Sequence, residues 1–287
     1  MPRSDDTLEK ILIRSAYRIH FRRVRRANWF VESCPNYSAI FMLGGELNYE
    51  CRNNLGTLNR HGGLLLNPGD SVSGRAIEAE FITTSISSSY VIDCAVRARL
   101  IRSGAVVKFQ TESVVQSERL RRLSKDLREE LVNNEAGQDL VISATIEHMI
   151  VELLRHHSHV RRADELELSR AGLVDRRIRR AVEFMHAQLQ RELQLDEIAA
   201  AAYLSPFHFA RLFKKLTGAT PHAYLANLRT TRAQTLLAET DLTVTEVSAR
   251  VGYASSSHFS KAFRAATGMT PRAFRAALII APQPRHE

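Results

Sequence analysis

The spacing of apolar positions changes character along the chain, and the changes divide it. Up to about residue 110, apolar residues come in short runs rich in β-branched and aromatic types, such as 37–43 and 80–86. Turn formers separate them: Gly44-Gly45, Asn53-Asn54, Gly62-Gly63 and Asn67-Pro68-Gly69-Asp70. That alternation predicts a small antiparallel sandwich or barrel over about 15–110. From Glu112 onward the period becomes three or four. Leu120, Leu123, Leu127 and Leu131 form one stripe, and Ile142, Ile146, Met149, Ile150, Leu153 and Leu154 form a second. With Asn133-Asn134-Glu135-Ala136-Gly137 between them, they predict a helical hairpin over about 112–158. Residues 1–160 thus read as one domain and the polar stretch 161–172 as a linker. Residues 173–287 read as a second, all-helical domain.

The second domain repeats itself. His208 and His258, Phe213 and Phe263, Gly218 and Gly268, and Pro221 and Pro271 pair at an offset of 50, the mark of a duplicated helical unit. In the first copy, Asp196-Glu197 sit where carboxylates favour a helix start. Ser205-Pro206 then reads as a cap followed by a first helical residue. Phe209, Leu212, Phe213 and Leu216 line one face of the new helix, and Phe207, Ala210, Arg211 and Lys214 the other. In the second copy Gly252 supplies the turn and Ser255 the cap. Tyr203 stands where Gly252 should have its counterpart, and the second turn is one residue longer. Each copy predicts a helix-turn-helix, at about 195–217 and 244–267. A helix over 221–239 joins them, roughly 28 Å long at 1.5 Å per residue. That length approaches the ~34 Å of one duplex turn.

Charge supports this reading. The 287 residues carry a net charge of +9, and residues 171–280 hold 15 Lys and Arg against 8 Asp and Glu, so most of the excess lies on the duplicated half. This balance suits a polyanion partner. A DNA reader gains affinity by pairing, which makes the hairpin a candidate dimer interface, the alternative being that it covers the open face of the β domain. Apolar runs are too short to span a membrane, and Met1-Pro2-Arg3-Ser4-Asp5-Asp6 lacks the layout of a signal peptide, so the expected location is the cytoplasm. Cys34, Cys51 and Cys94 suit neither a disulfide framework nor a CxxC metal site and read as buried apolar groups, with thiol sensing as the alternative. His20 and His61 lack the imidazole-plus-carboxylate neighbours that a metal-dependent barrel enzyme needs, so no metal, cofactor or catalytic residue is expected. The crowd of His148, His156, His157 and His159 reads as helix-end capping. In Arg22-Arg23-Val24-Arg25-Arg26, Arg22 and Arg26 are candidates for holding an anionic effector; the alternative is a solvated basic face.

The motifs of the duplicated half carry a family resemblance. Residues 205–214, reading Ser-Pro-Phe-His-Phe-Ala-Arg-Leu-Phe-Lys, Gly252-Tyr253 with residues 257–264, and the closing Gly268-Met269-Thr270-Pro271-Arg272-Ala273-Phe274-Arg275 resemble the AraC/XylS family of bacterial transcriptional regulators, over about a third of the chain. The resemblance implies an α+β two-domain protein, a cupin-like sensing domain followed by a double helix-turn-helix. It implies a non-enzymatic regulator of transcription that binds double-stranded DNA and answers to a small molecule. It also implies that base edges are read by Phe207, His208, Ala210 and Arg211 in the first copy and Ser256, Ser257, His258 and Lys261 in the second. Lys214, Lys215, Arg229, Arg232 and Arg264 are better placed for phosphates. A homodimer is expected, with RNA polymerase a further candidate partner. The competing readings are a thiol-redox regulator and a metal-dependent cupin enzyme with a DNA-binding appendage.

Overall fold

The computed structural model describes residues 7–31, 36–51, 54–101, 105–110, 115–162, 176–217 and 219–279. Cys34 and the greater part of the expected linker lie outside these. Runs rich in β-branched and aromatic residues give three strands of 15 residues each, β2 (Tyr17–Val31), β3 (Tyr37–Cys51) and β6 (Val72–Ile86). With β1 (Leu8–Ile13), β4 (Asn54–Leu58) and β5 (Gly63–Leu66) they form an antiparallel sheet in the order β1-β2-β6-β3-β4, β5 pairing with β3.

β3 changes partner half-way: Ser38 to Phe41 pair with β5, and Leu47 to Cys51 pair with β4. The register on β6 slips between Met42 and Glu46. Gly45 has φ 72° there, and a Cβ on it would stand 1.9 Å from the carbonyl oxygen of Glu78. Only glycine fits such a bulge, and the strand bends at it. Trp29, Leu47, Leu58, Val72 and Phe81 fill one core of the domain. Phe21, Phe41 and Ile82 belong to the other, which the helices complete.

The expected barrel is an open sheet, for a reason found at its edge. β1 does not pair with β4 among the described residues. Its outer edge is taken by the far end of the chain: Leu278 bridges to Ile11 in parallel, and the Ile279 N–H donates to the Ile11 carbonyl at 2.9 Å. An exposed strand edge is thereby satisfied by the other domain.

Helix α1 (Ser88–Arg97) is unanticipated. The Ser87 side chain caps it, and Val91, Cys94 and Ala95 turn inward at helical spacing. α2 (Glu118–Asn133) and α3 (Gln138–His156) form the expected hairpin. Their leucine and isoleucine stripes are buried in one cluster with the sheet, so the stripes serve this chain's own core. β7 (Ala105–Phe109) and β8 (Ser158–Arg162) pair beside the hairpin, placing the start of the expected linker inside a strand.

The second domain runs α4 (Arg176–Ala187), α5 (Leu195–Ala201), α6 (Pro206–Thr217), α7 (Pro221–Glu239), α8 (Val244–Arg250), α9 (Ser256–Thr267) and α10 (Pro271–Ala277). It has two cores. The first gathers Ile178, Met185, Ile198, Phe209, Phe213 and Leu225. The second gathers Leu236, Leu237, Val247, Val251, Phe259, Phe263 and Phe274, and also Ile11 of β1. Successive residues of β1 therefore serve different domains: Leu12 points into the core shared by the sheet and the hairpin, and Ile11 into the second core of the helical domain.

Truncating Ile11 to Ala is expected to cost about 2–5 kcal/mol in urea unfolding. Amide exchange in α9 and α10 is expected to quicken while α5 and α6 keep their protection. Equal loss of protection in both units would show that Ile11 is not a private part of the second core.

Candidate nucleic-acid interface and interdomain cavity

Both helix-turn-helix units are assembled by the same local chemistry. α5 and α8 each open with a capping box, Gln194 with Glu197 and Thr243 with Glu246. The backbone N–H groups of Gln194 and Thr243 donate to these carboxylates at 3.0 and 2.7 Å and hold both below the usual carboxylate range. The turns then match. The Leu204 N–H donates to the Ala199 carbonyl and the Tyr253 N–H to the Ser248 carbonyl, both at 3.0 Å. The residue before each is left-handed, Tyr203 at φ 56° and Gly252 at φ 83°. Tyrosine is strained in that region; its exposed ring lies under the Arg180 guanidinium, 5.2 Å away.

The second helices of the two units, α6 and α9, are set on their cores by matching aromatic triplets. Phe209–Phe213 and Phe213–Tyr224 each have centroids 5.3 Å apart; Phe259–Phe263 and Phe263–Phe274 stand at 5.5 and 5.2 Å. Each buried ring contributes about 1.5–3 kcal/mol. The hydroxyls of Thr217 and Thr267 close both helices by donating to the Phe213 and Phe263 carbonyls. With the inner faces so occupied, the outer faces are free. Phe207, His208, Arg211, Lys214 and Lys215 are exposed on α6, and Ser257, His258, Lys261 and Arg264 on α9, while Ala210 and Ser256 are half-buried. Phe207 is 76% exposed, an uncommon state for a phenyl ring on a folded surface.

A cavity of about 130 Å³ lies between the two domains. β2 and β6 supply Arg18, His20, Arg22, Trp29 and Phe81; the second domain supplies Asn227, Thr230 and Gln234 from α7, with Thr267 and Phe274 beyond. Arg22 is buried, and its Nε and Nη2 donate to Glu9 Oε1 at 3.0 and 2.9 Å. Its Nη1 approaches Gly268 at the end of α9, 3.4 Å from where a Cβ would be. Burial pushes Glu9 up, but His20 and Arg22 outweigh it and leave the carboxyl below its ordinary value. Burial also pushes His20 down, against the pull of Glu9, so the imidazole is held neutral. Among the lining residues, Trp29 Nε1, Ser38 Oγ and Gln234 Oε1 are buried without a protein hydrogen-bond partner.

A family model described as a helix-turn-helix domain matches residues 198–277. The regulatory protein PocR of Salmonella typhimurium is 33% identical over 78 residues, 27% of this chain and 26% of that one. The HTH-type transcriptional regulator GbdR of Pseudomonas aeruginosa is 32% identical over 128 residues, 44% of this chain and 34% of that one. The second domain is an AraC-type double helix-turn-helix. The chain spans about a quarter to a third of the length of these curated relatives. For the whole fold, an apo form of ToxT from Vibrio cholerae superposes with a TM-score of 0.62 at 9% identity, covering 92% of this chain and 98% of that one. An unsaturated-fatty-acid-bound ToxT gives 0.58 at 11%, covering 94% and 99%. The arrangement of a β-rich domain before an AraC-type domain is shared with ToxT.

The residues expected to face DNA fall into two groups within the AraC-type domain. Phe207, His208 and Arg211 share one exposed helix face, as do Ser257, His258 and Lys261, and Arg232 is exposed on α7. Arg229 differs: its Nη2 donates to the Arg191 carbonyl at 2.8 Å and its guanidinium lies over Tyr253. Of the effector candidates, Arg22 lines the cavity, whereas Arg26 is exposed and does not. Arg18, Thr230 and Gln234 are not singled out by sequence, and His20 is weighed there only as a metal ligand. The available signal was a polar stripe, Asn227, Thr230, Thr231 and Gln234, at helical spacing inside an otherwise leucine-bearing helix. Cys51 and Cys94 are buried free thiols. No cluster of three metal-ligating side chains occurs, and no helix is long and apolar enough to cross a membrane, among the described residues.

A neutral buried His20 gives a signed pH effect. Its folded pKa lies below the ordinary 6.5, so its contribution is intact above about pH 6.5 and is lost as pH falls toward the folded value. The decline in unfolding free energy between pH 6.5 and 5 is expected to be shallower in His20→Gln than in wild type. Parallel curves would remove His20 from the account.

Proposed function

We propose that the protein is a sequence-specific, DNA-binding transcriptional regulator whose AraC-type domain reads two successive major grooves. The observation that carries this is the pair of identically built reading helices whose inner faces are fixed by aromatic cores and whose outer faces carry Phe207, His208 and Arg211, and Ser257, His258 and Lys261. Arg211 suits the O6 and N7 of guanine, and Phe207 a thymine methyl, whereas the short serines and Lys261 discriminate less. Lys214, Lys215, Arg232 and Arg264 flank these faces and suit phosphates. The named relatives are themselves described as regulators. A homodimer and a contact with RNA polymerase belong to this reading as expectations, as does the cytoplasm as its place of action.

The effector in this reading is a small carboxylate that enters the interdomain cavity. Arginine forks match carboxylates, and Arg18 and Arg22 face the space alongside the apolar Trp29 and Phe81. The fatty-acid-bound form of ToxT shows a carboxylate as ligand in a protein of the same fold. Here the volume of about 130 Å³ is close to the ~150 Å³ known to admit benzene, which favours a short chain or a single ring. A ligand in that position touches both domains and acts to the extent that it prefers one arrangement of them.

Arg211→Ala is expected to cost about 1–3 kcal/mol on a selected duplex and to relax preference at one base pair, while Lys215→Ala weakens all sequences alike. Unchanged affinity and base preference in Arg211→Ala would sink the assignment of α6 as a reader. For the effector, thermal unfolding of the full chain is followed with monocarboxylates from butyrate to octanoate and with benzoate. At least one is expected to raise the midpoint and to lose that effect in Arg18→Met. Stabilisation by uncharged analogues alone would contradict a carboxylate ligand.

A further inference from the structure

We propose that Arg229 is a positioning residue that locks the two reading units at one separation, and thereby sets the half-site spacing the protein accepts; this rests on the DNA-reading function above. The two units have separate cores. α7 joins them, but a single rod fixes only a distance, and each unit could still pivot at its end. A second connection closes a triangle and removes the pivot.

That second connection exists where the loop of the first unit meets the turn of the second. A Cβ added to Gly252 would stand 2.3 Å from the Leu189 carbonyl oxygen and 2.9 Å from Nη2 of Arg229. The two backbones are therefore in direct contact there, and Gly252 is required for close approach as well as for its φ of 83°. Arg229, half-way along α7, fills the junction. Its Nη2 donates to the Arg191 carbonyl in the first unit at 2.8 Å, and its guanidinium covers the Tyr253 ring in the second at 5.4 Å.

The anchor is itself fixed. Arg191 donates from Nε to Gln188 at 3.0 Å and from Nη1 to Glu197 at 2.9 Å, and its guanidinium lies over Phe184. Glu197 is the capping residue of α5. The chain of contacts thus runs from the start of one helix-turn-helix, through Arg229, to the turn of the other. Burial holds the Arg229 guanidinium below its usual range, with Tyr253 and Glu192 pulling the other way. A group placed to meet a phosphate would be outermost; this one is half-buried between protein surfaces.

The discriminating variants are Arg229→Lys, which keeps the charge but not the planar fork, and Tyr253→Leu, which removes the stacking partner and leaves Arg229 in place. Full-length wild type, both variants and Lys215→Ala are carried through selection from a random duplex library, with thermal unfolding to confirm folding. Wild type is expected to enrich two half-sites at one spacing. Both junction variants are expected to keep the same half-sites but to accept spacings one base pair longer or shorter, while Lys215→Ala keeps the wild-type spacing. If Arg229→Lys and Tyr253→Leu hold the wild-type spacing, the positioning role is overturned and the DNA reading stands. If wild type enriches no sequence, the DNA reading itself falls.

Discussion

Helix α7 is engaged on three sides at once, and the placement of everything else follows from that. Its first turns give Leu225 to the core of the first reading unit, and its last give Leu236 and Leu237 to the core of the second. Between them, Asn227, Thr230 and Gln234 turn toward the sheet of the first domain and form one wall of the cavity. The helix is nineteen residues long, roughly 28 Å, so the separation of the two helix-turn-helix units is a property of a rigid element. Its polar stripe is what a helix needs if it must face a polar cavity without losing apolar contact at either end.

The two reading units are alike inside and differ in what they touch. The first packs on itself. The second borrows Ile11 from β1 of the first domain, and the strand edge there is closed by Leu278 and Ile279. Arg22, buried and paired with Glu9, stands at the end of α9. The cavity therefore adjoins the second unit through Arg22 and the α9 terminus, next to the β1 contact. Under the proposed function this joins ligand to DNA by a short path of packed groups that runs through the unit expected mainly to anchor.

Much of this was legible in the sequence because it is local. The offset of 50, the cap at Ser255, the bounds of α7 and the two apolar stripes of the hairpin all depend on neighbours within a few residues. What escaped depends on contacts across the fold. Arg229 reads as one more basic residue on a helix face, since nothing nearby in sequence reveals the Arg191 carbonyl 38 residues earlier. Glu9, His20 and Arg22 become a cluster only through the register of β1 on β2. The open edge of the sheet is explained by a tail whose Leu278 and Ile279 look like any apolar run. α1 is short, and its Ser87 cap and inward Val91, Cys94 and Ala95 were readable but were outweighed by the strand-like composition around them. Tyr203 shows the reverse: it lacks the glycine that its turn favours, and the turn forms regardless because both units share the same hydrogen bonds and cores.

The central claim is geometric, that one rigid α7 presents two reading helices to successive major grooves on one face of the duplex. Hydroxyl-radical footprinting of the full chain on a selected duplex addresses it directly. The account predicts two protected windows, one helical turn or about 10 base pairs apart and on the same face. A single window, or two windows half a turn out of phase, would contradict it.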